Sequence, residues 1–131
     1  MSDLPGILFI VAAALSLLGV LGHEILGSPK VLAPLKGSGL PDDVIWLHHF
    51  SWHVGSVAVL AMAALFLLAA KSADGVAYAA VATAISAGFA ALGLSLAIFG
   101  NRALWRTPAP YPWTLIAILG GAGLLMELSA G

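Results

Sequence analysis

Cysteine is absent from this chain. That removes disulfides, thiolate-held zinc, iron–sulfur clusters and a cysteine nucleophile together. Charge is scarce. Five Lys and Arg and six Asp and Glu make up 8 % of the 131 residues, against roughly 25 % in a soluble domain. The net charge of −1 supplies no basic face for nucleic acid. Also missing are a phosphate-binding glycine loop, an HExxH metal pair and a nucleophile elbow. The glycines lie inside apolar runs, as packing glycines do. A Ser–His–Asp hydrolase would have to use Ser51 or Ser56, His53 and Asp42 or Asp43, all on one helix with poor mutual geometry. No motif names a reaction.

Apolar side chains are abundant. The chain is 61 % hydrophobic, and a chain this short has too little interior to hide so much apolar surface from water. Lipid is the consistent solvent. Four apolar runs stand out, at about 4–27, 42–70, 75–100 and 112–129. Each is close to or beyond the roughly 20 helical residues that cross a bilayer core. The expected fold is all-α: a single-domain four-helix transmembrane bundle, up-down-up-down. Met1-Ser2-Asp3 lacks the positive start of a cleavable signal, and the run that follows is too long for one, so it reads as a retained span.

The loops joining spans one to two and three to four fall on one side and hold Lys30, Lys36, Arg102 and Arg106, while the other side has Lys71 alone. The positive-inside rule places those two loops in the cytoplasm and both termini in the periplasm of a bacterial inner membrane. Trp46, Trp105, Tyr111 and Trp113 fall at the same interface as an aromatic belt. Spans one and two do not echo spans three and four in sequence, because the second half has no histidine, so an inverted-repeat transporter gains little support.

Within the first span Ala12, Ser16, Gly19, His23 and Gly27 share a face at helical spacing. Small residues there let another backbone approach closely. On a regular helix Glu24 lies about 100° from that face; as a ligand or proton acceptor it would point inward, and the plainer alternative is that it snorkels toward Lys30 or water. Gly27 and Pro29 are expected to end the helix. Asp42 is the expected cap of the second span.

All four histidines lie between His23 and His53. His49 and His53 are four residues apart on one helix face, so two imidazoles can reach one metal. His23 reaches a similar depth on the neighbouring span, and Glu24 adds a carboxylate. His23, His49, His53 and Glu24 are therefore the candidate metal ligands, suited to Zn, Fe or Cu. A haem b held between His23 and His49 or His53 is the other cofactor version. The plainer reading is an interfacial polar patch or an interhelical hydrogen-bond set. His48 points elsewhere, toward the headgroups. Asn101 and Arg102 suit lipid phosphate.

Gly22-His23-Glu24-Ile25-Leu26-Gly27, then Leu32-Ala33-Pro34-Leu35, then Trp52-His53-Val54-Gly55-Ser56 resembles a pattern in small uncharacterised bacterial four-span membrane proteins, roughly H-x-x-L-G, P-L, W-H-x-x-S/T. The resemblance covers the first half and the Pro-x-Trp entry to the last span, Pro110 to Trp113, and implies a fold but no activity. Size and span number are also similar to small multidrug transporters. Those carry a Glu deep in the first span, and Glu24 stands near its end. Three functions follow as expectations. The first is a metal- or haem-binding membrane protein with its site at the cytoplasmic rim. The second is a non-catalytic accessory or assembly subunit of a larger membrane complex. The third is a small homo-oligomeric transporter using Glu24.

Overall fold

The computed structural model describes residues 3–130. Helix α1 (Asp3–Leu21) passes into a π-helical turn, Gly22–Gly27. A short helix α2 (Ser28–Val31) and a 3₁₀ turn (Ala33–Leu35) follow. Helix α3 spans Asp42–Lys71 and α4 spans Gly75–Ser95. A second π turn, Leu96–Gly100, leads to a 3₁₀ segment, Arg102–Arg106, and to α5, Tyr111–Ala130. Among the described residues four helical runs are long and apolar enough to cross a membrane, and the architecture is an all-α four-helix bundle. Helix α1 packs on α3 and α5, and α4 packs on the same two, which closes a ring.

The core is built from aromatic rings seated in glycine notches. Phe9, Met62, Phe66 and Ile116 are buried. Phe9 and Phe66 stack with centroids 6.3 Å apart. Helix α5 meets them with backbone. A Cβ on Gly123 would stand 2.6 Å from Phe9 Cε1, and one on Gly120 would stand 2.7 Å from Phe66 Cζ. The small face of α1 packs as its spacing predicts: Ala12 and Ser16 are fully buried, and the Ser16 hydroxyl donates to the Ala12 carbonyl at 2.7 Å. The turn between α3 and α4 needs Gly75, because a Cβ there would fall 2.6 Å from the Ala69 carbonyl oxygen.

Three local expectations are corrected. Gly27 and Pro29 do not end the first helical run, which continues to Leu35. Pro29 sits in the first turn of α2, where a missing N–H breaks little. Gly27 is helical, and its lack of a side chain serves packing: a Cβ would lie 3.0 Å from Trp52 Cζ2. Pro41 rather than Asp42 occupies the N-cap of α3, and Asp42 is its first helical residue.

The two halves also share a backbone plan that their side chains conceal. Each has a long helix, a π turn ending in glycine (Ile25-Leu26-Gly27, Ile98-Phe99-Gly100), a 3₁₀ turn, and a second long helix, with the short α2 inserted in the first half alone. The likeness lies in the hydrogen-bond pattern, so a search for repeated histidines passes over it. Each half holds two spans, so both enter the bilayer in the same sense, unlike an inverted repeat.

Candidate functional site

The π turn decides which side chains of α1 face α3. It closes i→i+5 hydrogen bonds, seen here as the Ser28 amide bonding to the His23 carbonyl. The wider turn carries both His23 and Glu24 to the α3 side, although neighbours on a regular helix point about 100° apart. Glu24 therefore does not snorkel outward toward Lys30.

The Glu24 carboxylate meets two donors from α3. His53 Nδ1–H donates to Glu24 Oε1 at 3.1 Å. The Ser56 hydroxyl donates to the same oxygen. Ser56 is buried, Glu24 is mostly covered at 31 % side-chain exposure, and His53 is half open at 54 %. The group is thus anchored from below and open from above. With Nδ1 committed to the carboxylate, the neutral His53 ring keeps its lone pair on Nε2.

His23 is placed differently. Its ring lies flat on Trp52, with centroids 3.7 Å apart and planes 11° from parallel. Its Nε2–H donates to the Trp52 carbonyl at 3.3 Å. The Cζ2–Cη2 edge of the indole rests against Gly27. His23, Trp52 and Gly27 pack together between the two spans, and the Trp52 indole N–H is buried there without a partner among the described residues.

His49 lies one turn before His53. Its ring centroid is 6.4 Å from that of His53 and 5.2 Å from that of Trp46. His48 is exposed and its Nδ1–H donates to the Val44 carbonyl at 2.8 Å, which holds it away from the others. Asn101 caps its own 3₁₀ segment, accepting from the Ala103 amide at 2.9 Å.

Of the four candidate ligands, Glu24 and His53 are brought into contact, His49 stands one turn away, and His23 is turned into the Trp52 stack. Among the described residues no group of three or more His, Asp or Glu side chains is gathered to hold a metal ion. The donors present are the His53 ring, with Nδ1 on Glu24, and the His49 ring, with its centroid 6.4 Å from that of His53. They do not fit a haem bridging His23 to α3, because Trp52 and Gly27 fill that slot. Two contributors escape a search for ligands. Ser56 is a hydroxyl, yet its place three residues after His53 on the same face is a usable signal. Trp52 reads in sequence as interfacial decoration.

No protein-family model, curated protein or solved structure matches this chain.

Proposed function

We propose that this chain is a small integral membrane protein that binds a divalent transition-metal cation at the rim nearest its two long loops. His53 Nε2 is the first ligand and His49 the second. The observation that carries the reading is the 3.1 Å bond from His53 Nδ1–H to Glu24 Oε1, made between two spans. A carboxylate on one imidazole nitrogen fixes the tautomer and raises the basicity of the other, which is the usual support behind a metal-bound histidine. Glu24 then orients the ligand instead of coordinating, Ser56 orients Glu24, and His23 serves the packing with Trp52. Imidazole donors suit Zn, Cu or Fe. The excess of Lys and Arg in those loops supports a rim on the cytoplasmic side of a bacterial inner membrane.

The test is metal content and calorimetric titration of the purified full-length chain. His53→Ala lowers occupancy at least tenfold. Glu24→Gln weakens affinity by roughly 10–100-fold, the range for a lost outer-shell partner. His23→Ala leaves affinity unchanged. Wild-type protein without stoichiometric metal refutes the reading, and so does full occupancy in His53→Ala.

A second reading, an accessory subunit of a larger membrane complex, draws on the first turns of α3. A helix of 30 residues is about 45 Å long, against a hydrocarbon core of about 30 Å. Trp46, Leu47 and Phe50 on its outer part are each at least 60 % exposed. A single large partner complex captured in mild detergent, from protein that carries no metal, favours this role. Carrier function based on Glu24 would run between copies, since Phe9, Met62 and Phe66 fill the core of the bundle. Flux in proteoliposomes that survives Glu24→Gln removes that role for Glu24.

A further inference from the structure

A groove of about 520 Å³ lies on the lipid-facing side between α1 and α5, lined by Leu15, Leu18, Gly19, Tyr111, Pro112 and Leu115. It is separate from the Glu24–His53 site, which lies between α1 and α3. Gly19 opens it. A Cβ at Gly19 would stand 3.6 Å from Trp113 Cη2, so the Trp113 indole packs against Gly19 beside the groove. Trp113 is held from behind by Phe89, with centroids 5.4 Å apart. Leu18 and Leu115 make exposed apolar walls. Apart from the Tyr111 hydroxyl, every side chain lining the slot is apolar.

The mouth of the groove is polar and tied to a basic segment. The Tyr111 hydroxyl donates to the Trp105 carbonyl at 2.8 Å, and the two rings lie 6.3 Å apart. That bond fastens the head of the groove to the 3₁₀ segment Arg102–Arg106, whose two ends are arginines. An uncharged slot thus ends at a segment that carries two exposed arginines, beside a Trp–Tyr pair of the kind that marks the membrane interface. Guanidinium pairs with phosphate by charge and by paired hydrogen bonds.

We propose that this groove is a specific site for one anionic phospholipid. Its acyl chain fills the slot between α1 and α5, and its phosphate is held by Arg106 and Arg102. A second copy of the chain is the poorer occupant on charge. It would bring the same arginines, with Lys30 and Lys36, against this mouth, whereas an anionic headgroup complements them.

The test is native mass spectrometry of the full chain, released from micelles holding equal amounts of phosphatidylglycerol and phosphatidylcholine with matched acyl chains. One lipid per chain is retained, and phosphatidylglycerol is preferred by roughly thirtyfold, the combined effect expected of two basic side chains near the surface. The double variant Arg102→Gln with Arg106→Gln abolishes the preference but still retains lipid. Leu18→Trp fills the slot and lowers retention of both lipids, whereas Leu125→Trp, on the outer face of α5 away from the groove, does not. Equal retention of the two lipids by the wild-type chain overturns the proposal. So does retention indifferent to Leu18→Trp, or a dimer that takes the place of bound lipid and dissociates on Leu18→Trp.

Discussion

Gly120 and Gly123 of α5 are the positions at which the packing can be tested hardest. Gly123→Ala places a methyl group 2.6 Å from Phe9 Cε1 and 3.1 Å from its Cδ1. Gly120→Ala places one 2.7 Å from Phe66 Cε1 and Cζ and 2.6 Å from the Thr83 hydroxyl. Carbon atoms rest at about 3.5–4.0 Å, so each methyl intrudes by close to an ångström. The rings have little room to retreat, because both are buried and each stacks on the other. Forcing extra volume into such a core costs roughly 1–3 kcal/mol. The better helix propensity of Ala over Gly returns up to about 1 kcal/mol. An overlap of close to an ångström falls toward the upper end of that cost, so each substitution should destabilise the bundle by about 2 kcal/mol net. The double variant should depart from additivity, since the two rings touch. Gly88 is the internal control: it is helical, and a Cβ there meets nothing within 4 Å. Gly88→Ala should be neutral or stabilising. Equilibrium unfolding in mixed micelles, followed by circular dichroism, reads all four variants. If Gly120→Ala and Gly123→Ala match or exceed the wild type, the notch-and-ring account of the core is wrong.

Further outcomes follow from the site and the loops. Zinc affinity, measured by calorimetry across a series of pH values, should fall as the solution is acidified, because protons compete with the metal for imidazole nitrogen; a flat profile would remove His53 from the ligand set. Trp52→Ala should cost up to about 3 kcal/mol, the low end for a large aromatic because Trp52 is only partly buried, by removing its packing on His23 and Gly27. Trp52→Phe should cost clearly less, because the indole N–H it removes has no partner, and equal losses would contradict that. Because the native chain lacks cysteine, single substitutions Lys36→Cys, Arg102→Cys and Ser72→Cys can be labelled in intact cells with a membrane-impermeant maleimide. Ser72→Cys alone should react, and the opposite pattern would invert the proposed orientation.

The spans were legible in the sequence because apolar length is a direct measure of bilayer thickness, and little else in the chain competes with it. The small face of α1 was legible for a similar reason. Ala12 and Ser16 repeat at helical spacing, and close approach of backbones demands small residues wherever it occurs. Glu24 was not legible. Its direction depends on one extra residue in the hydrogen-bond ring at Gly22–Gly27, and no side chain there announces it. Gly27 misled for a related cause. A glycine before Ser-Pro resembles a helix stop, but what it provides is room for the Trp52 indole. His49 and His53 share a face as their spacing predicts. That spacing says nothing of which ring nitrogen is free, and this depended on finding Glu24 and Ser56 below them.

The π turn of the first half has a mechanical meaning. It acts as a phase shifter set between a packed shaft and a working tip. Below it, Phe9, Ala12, Ala13 and Ser16 are locked into the core. Deleting one residue from Gly22–Gly27 would restore an ordinary α-helical turn and swing everything beyond it by about 100°, with the shaft left in place. Glu24 would leave His53, and Gly27 would leave Trp52. The corresponding turn of the second half carries Ala97, fully buried, three residues before its closing glycine, where the first half carries Glu24. One scaffold, used twice, thus holds a tunable polar tip on one side and an inert counterpart on the other.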